Sequence, residues 1–249
     1  MTRPDLVLIH GWGLHREVWS PCLDALREVA DVRLTDLPGY GETPDAGQSF
    51  AEAARALADS LPAQATLCGW SLGALLAMQA ARLAPERIGK LILVGATPRF
   101  TRDADWPAAQ PASLLDDFAA AVANDGRATL QRFVALFNQG DSKARSIGRE
   151  IARHVLPSPP PATATLLAGL DALRETDLRG QAPEIACPLL LIHGAHDPLM
   201  PLAAAQWLAE RLPHARLEVF ADAAHAPFLN DPARFARLVG DYLHGSRID

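Results

Sequence analysis

The stretch Ala65-Thr66-Leu67-Cys68-Gly69-Trp70-Ser71-Leu72-Gly73-Ala74 decides how the rest of the chain is read. A short apolar run ends at Gly69 and a helical pattern starts at about Leu72. Between them stands one serine with a glycine two places to either side. Gly-x-Ser-x-Gly between a strand and a helix reads as a nucleophile elbow, a sharp turn that exposes the serine at the end of a sheet. Side chains at 69 and 73 would clash with the adjoining strand and helix, so glycine is needed at both. Ser71 itself is expected in a sparsely populated backbone region, of the kind that collects at functional sites.

On the N-terminal side of the elbow, residues 6–9 form a continuous apolar run ending in His10-Gly11-Trp12-Gly13, as a buried parallel strand and its loop would. A helical stretch over 18–29 leads to a strand at 32–35, which closes in the turn-rich Asp36-Leu37-Pro38-Gly39-Tyr40-Gly41. Ser49 with Glu52 makes a capping box for a helix carrying Phe50, Ala54, Leu57, Ala58 and Leu61. On the C-terminal side, Pro85 stops the elbow helix, and a strand at 90–94 ends at Gly95. From about 98 to 183 only helical patterns occur: 113–124, 127–138, 142–156 and 162–174. Strands return at 188–192, ending in His193-Gly194-Ala195-His196-Asp197, and at 217–220, with a helix over 202–212 between them. Asp231 with Pro232 opens a last helix, whose Phe235, Leu238, Val239 and Tyr242 face inward.

Alternating strands and helices imply a mostly parallel sheet covered on both faces. The expected organisation is therefore an α/β core over 1–97 and 184–249 with an inserted four-helix lid over 98–183. The 249 residues suffice for that core, and no apolar run approaches membrane-spanning length. The opening residues are too short in apolar content for a secretory signal. Cys22, Cys68 and Cys187 are scattered without ligand spacing and read as small buried residues of a reducing compartment, so the cytoplasm is expected. A net charge of −6 argues against general nucleic-acid binding. No cofactor, metal or membrane partner is expected, and the expected state is a monomer.

His10-Gly11-Trp12, Ser71, Asp197 and His225 all lie just past expected strand ends, where active-site loops of such sheets gather. A serine hydroxyl needs a base to become a nucleophile at neutral pH. His10, His193 and His196 compete with His225, but the order nucleophile, acid, base that accompanies this elbow selects Ser71, Asp197 and His225. Asp197 would accept the imidazole N–H and stabilise the imidazolium. The oxyanion donors would be the N–H of Leu72, at a helix N-terminus, and that of Trp12, whose glycine neighbours let backbone approach a substrate.

On these residues the chain resembles the α/β-hydrolase superfamily over essentially its whole length. Ala74 stands where many members have a further glycine and Thr43 where serine is common, and the antiparallel strands that usually open the sheet are expected to be trimmed. Trp12 in His-Gly-Trp-Gly-Leu, Val18-Trp19, Trp70 in Gly-Trp-Ser-Leu-Gly and the segment 130–136 are similar to the methyl ester esterases of biotin synthesis. That resemblance implies a carboxylesterase acting on a methyl-capped pimeloyl chain held by acyl carrier protein. It implies substrate contacts at Trp12, Ser71, Leu72, Phe133, Val134, Ala135, Leu136, Phe137 and His225. Arg132, Arg145 and Arg149 match the family's lid arginines.

The residues themselves add two observations. Leu130, Phe133, Val134 and Phe137 lie on one apolar helix face, suited to packing on the core or to an acyl chain. Arg127, Arg132, Lys143, Arg145, Arg149 and Arg153 are a basic set on an acidic protein, with the last three arginines spaced as one helical stripe. It is either a solvated face or a dock for an acidic carrier protein, with Arg127, Arg132, Arg145 and Arg149 as the contacts. Competing readings are a general short-chain carboxylesterase, an enol-lactonase, a carbon–carbon bond hydrolase and a non-catalytic ligand-binding relative, because fold alone does not fix function.

Overall fold

The computed structural model describes residues 3–44, 47–156, 159–212 and 214–245. Six strands form one sheet: β1 (Asp5–Ile9), β2 (Asp31–Thr35), β3 (Ala65–Trp70), β4 (Ile88–Val94), β5 (Leu189–Gly194) and β6 (Ala215–Phe220). Their spatial order is β2-β1-β3-β4-β5-β6, and every pairing is parallel. The central strands β3 and β5 are buried along their whole length, which is why they read as unbroken apolar runs rather than alternating ones. Parallel strands need crossovers, and helices supply them. These are α1 (Ser20–Val29), preceded by a 3-10 turn at Arg16–Trp19, then α2 (Phe50–Ser60) and α3 (Leu72–Leu83).

Between β4 and β5 come α4 (Ala112–Phe137), α5 (Ala144–Glu150) and α6 (Thr163–Glu175). The chain closes with α7 (Leu202–Arg211), α8 (Pro227–Asn230) and α9 (Pro232–His244). α1 packs on α9 and α2 on α3. Ser49 makes the expected capping box with Glu52, and Asp231 accepts from Arg234 N at 2.9 Å to cap α9. Cys22 and Cys68 are buried as expected, whereas Cys187 is only half-buried. Among the described residues no helix is long and apolar enough to cross a membrane.

Two local expectations change. The helices expected at 113–124 and 127–138 run on as α4, broken only at Asp125, whose φ of −155° and ψ of 94° leave the helical region. The Asp125 carboxylate accepts from Ala128 N at 3.0 Å, so it caps the second half where the first half ends. The helix expected over 142–156 turns into a π turn at Ile151–Val155, closed by Leu156 N donating to Ile151 O at 2.8 Å.

Candidate active site

Strand register sets the site. Ile9 pairs with Thr35 and Gly69, Trp70 with Val94, Val94 with Ile192, and Gly194 with Phe220. The carboxyl ends of the strands thus line up along one edge, and the loops that follow them carry His10, Asp36, Ser71, Asp197 and His225.

Ser71 has φ 58° and ψ −119°, a conformation that non-glycine residues avoid. It is held there by its own N–H, which donates to Val94 O at 3.0 Å, and by the start of α3. A Cβ on Gly69 would run into the backbone of Gly73 and Ala74, and one on Gly73 into the carbonyl of His10. Both glycines are therefore required by close backbone approach, as the elbow motif demands. Gly11 lies against Ser71: a Cβ there would stand 3.0 Å from the Ser71 Cβ.

Asp197 and His225 are buried and joined at 2.7 Å from His225 Nδ1 to Asp197 Oδ2. The other carboxylate oxygen accepts from Leu199 N and Met200 N, both at 2.9 Å. Burial alone would raise the Asp197 pKa, but the adjacent His225, its hydrogen bond, His193 and the backbone donors outweigh it and hold the carboxyl below its ordinary range. An ionised carboxylate only accepts, so His225 Nδ1 is the donor in this bond. Nε2 is buried and has no hydrogen-bond partner among the described residues. Ser71 Oγ likewise makes no hydrogen bond among them, so the two atoms that a serine–histidine proton transfer would join are both uncommitted. Gly95 gives the imidazole its space, since a Cβ at that position would stand 3.0 Å from Nδ1.

The competing histidines are otherwise occupied. His10 is fully buried, with Nδ1 at 2.7 Å from Gly11 O and Nε2 between Leu37 N at 3.1 Å and Asp36 Oδ1 at 3.3 Å. His193 Nε2 donates to Met200 O at 2.7 Å, and burial lowers its pKa. His196 is exposed.

Neither the Trp12 N–H nor the Leu72 N–H has an acceptor among the described residues, which leaves both available to an oxyanion. The Trp12 indole is anchored separately: Nε1 donates to Leu166 O on α6 at 2.8 Å, and Phe133 packs edge-on at 4.9 Å. α6 comes this close because Gly169 faces the indole; a Cβ there would stand 2.5 Å from Trp12 Cδ1.

A small apolar cavity of about 20 Å³ lies at Ser71, lined by Trp12 and Phe133 and by Phe100, Leu115, Phe118 and Leu173 among others. Of the expected acyl-binding segment, Phe133 alone reaches it. Val134, Ala135 and Leu136 instead line an outer groove of about 790 Å³ together with Arg145 and Arg149. Arg132 borders an adjoining hollow that shares Leu136. Arg127 is exposed. Phe137 is buried against Trp70, at 5.6 Å between ring centroids. Sequence reasoning missed Leu115 and Phe118, although their i, i+3 spacing is the signal that had singled out Leu130 and Phe133.

The fold and this geometry agree with what the chain is similar to. Residues 4–232 match the family model described as alpha/beta hydrolase fold, and the chain belongs to that family. It is 44% identical to a pimeloyl-[acyl-carrier protein] methyl ester esterase from Aromatoleum aromaticum, over 98% of this chain and 100% of that protein. It is 40% identical to a protein of the same name from Nitrosomonas europaea, over 93% and 92% of the two chains. Among solved structures it resembles an esterase from Exiguobacterium antarcticum, with a TM-score of 0.85 and 23% identity over 97% of this chain and 92% of that one.

Proposed function

We propose that this chain is a serine carboxylesterase that removes the methyl ester from a pimeloyl chain carried on acyl carrier protein. The observation that carries the chemistry is His225, bonded through Nδ1 to buried Asp197 and left with a free, buried Nε2 at the nucleophile-elbow loop. Support for the substrate comes from the two relatives of that name, which align over nearly their full lengths.

In this reading Ser71 Oγ attacks the ester carbonyl while His225 Nε2 takes its proton, a transfer typically worth about 10²–10⁴-fold in rate. Asp197 stabilises the imidazolium, and the N–H groups of Trp12 and Leu72 hold the oxyanion. Collapse of the tetrahedral intermediate expels the methoxy oxygen, protonated by His225, as methanol. Water then attacks the acyl-enzyme, His225 takes its proton, and the free pimeloyl carboxylate leaves with Ser71 restored.

Residues 98–183 serve as the lid on a core formed by 1–97 and 184–249. Phe133 borders the reacting centre, Val134, Ala135 and Leu136 meet the chain outside it, and Phe137 backs His225. Arg127, Arg132, Arg145 and Arg149 receive the acidic carrier protein. The enzyme acts as a cytoplasmic monomer in biotin synthesis. The small cavity at Ser71 also suits a general short-chain carboxylesterase, and complementation separates the two. The wild-type chain should restore growth without biotin to an auxotroph lacking this esterase, and Ser71→Ala should not. Failure of a well-expressed wild type would leave the general esterase.

A further inference from the structure

The loop that carries His225 is held from outside itself. His225 N donates to Phe137 O at 3.2 Å, at the end of α4, and Ala224 N donates to Asp141 Oδ2 at 3.0 Å. Asp141 lies between α4 and α5 and is 8% exposed. Its other oxygen accepts from Asn230 Nδ2 and from Lys143 N, both at 2.7 Å. Around this carboxylate Ser142 N donates to Asp222 O at 3.0 Å, and Lys143 Nζ to Asn230 O at 2.7 Å. The segment from Phe137 to Lys143 therefore grips the 222–230 loop on both sides of the histidine.

Three donors converge on one buried side chain, and only a carboxylate accepts from all three while offering none of its own. Lys143 N is a local turn contact of a kind a lone aspartate often makes. Ala224 N is not local: it lies 83 residues further along the chain and belongs to the peptide unit next to His225.

We infer that Asp141 is a positioning residue for His225, fixing the backbone immediately before it so that Nε2 is presented to Ser71. The inference rests on reading Ser71, Asp197 and His225 as a triad, and it is independent of which ester is the substrate.

The test compares wild type, Asp141→Ser and Asp141→Asn on p-nitrophenyl acetate, together with the rate of Ser71 labelling by a fluorophosphonate. The serine hydroxyl can still serve the turn at Lys143 but is too short for Ala224. Asparagine keeps an oxygen for Ala224 but gives up the acceptor that Lys143 N and Asn230 Nδ2 share, so it is the converse of serine. A misplaced base costs up to about 100-fold. Asp141→Ser should therefore lose roughly 10- to 100-fold in kcat and in labelling rate, with KM within about twofold. Asp141→Asn should stay within about threefold of wild type, since it retains the acceptor for Ala224.

Full activity in Asp141→Ser would overturn the inference, as would equal losses in both variants. A wild type whose Ser71 is not labelled would instead overturn the triad. Should Asp141→Ser not fold, amide exchange in the wild type decides: Ala224 and His225 are expected to be protected like β6, and exchange as fast as in exposed loops would overturn the clamp.

Discussion

The indole Nε1 of Trp70 donates to the carbonyl oxygen of His225 at 2.8 Å, so the residue before Ser71 holds the backbone of His225. The two rings also pack, with centroids 5.4 Å apart. With His225 N on Phe137 O and its ring on Asp197, every polar group of His225 except Nε2 has a partner.

Trp70→Phe keeps a ring against Phe137 and Phe228 but deprives His225 O of its donor. An orphaned buried carbonyl costs about 1–3 kcal/mol, and part of that cost is expected in the transition state. A drop of roughly tenfold in kcat with little change in KM is expected from steady-state kinetics on a short ester. Unchanged kcat would mean the contact does not bear on the base.

Asp197→Asn should cost about 10⁴-fold in kcat, because the amide can donate to Nδ1 and so favours the wrong imidazole tautomer. Slow fluorophosphonate labelling with an unchanged melting temperature is the expected signature. Loss of the fold instead would make Asp197 structural.

Gly169→Ala pits two magnitudes against each other. Alanine in a helix interior gains about 1 kcal/mol over glycine, whereas overpacking costs about 1–3 kcal/mol. With a Cβ 2.5 Å from Trp12 Cδ1, crowding should win, giving net destabilisation in urea titrations and a raised KM as α6 shifts. A more stable variant would show that α6 yields freely.

Arg145→Glu with Arg149→Glu should impair hydrolysis of a carrier-bound ester and spare a short soluble ester, most clearly at low ionic strength. Equal losses on both substrates would remove the docking role from this pair.

Asp36 is buried, accepting from Arg16 N at 2.8 Å with His10 Nε2 3.3 Å away. Burial alone would raise its pKa, but His10 and Arg16 outweigh it and bring the pKa below its ordinary 3.8. A depressed folded-state pKa contributes stability that is present above 3.8 and lost as the pH falls through the folded value. Asp36→Asn should therefore lower unfolding stability near neutral pH, by about 1–3 kcal/mol, and flatten its decline below pH 4. Parallel acid limbs in the two proteins would assign acid sensitivity elsewhere.

The elbow, the strand ends and the helix caps were legible because each is written in neighbouring residues: Gly69 and Gly73 around Ser71, Glu52 three places after Ser49, Pro232 after Asp231. The pairing of Asp197 with His225 was legible through chain order. What sequence reasoning missed lies in contacts between distant residues. Trp70 and His225 are 155 residues apart, and Asp141 in Gln-Gly-Asp-Ser looks like any turn aspartate. The π turn went unread for a different reason: nothing in Ile151–Val155 announces it.

Strand order has a consequence for synthesis. After β1 and β2, each later strand joins the same growing margin of the sheet, β3, β4, β5 and then β6, so no strand must be inserted between two already paired. An emerging polypeptide could thus lay down its sheet as the ribosome delivers it, with the serine turn in place long before the last strand and the histidine behind it have been translated. Under the proposed triad, the nascent protein until then carries Ser71 without His225, and reactivity arrives only when the remainder of the protein is there to contain it.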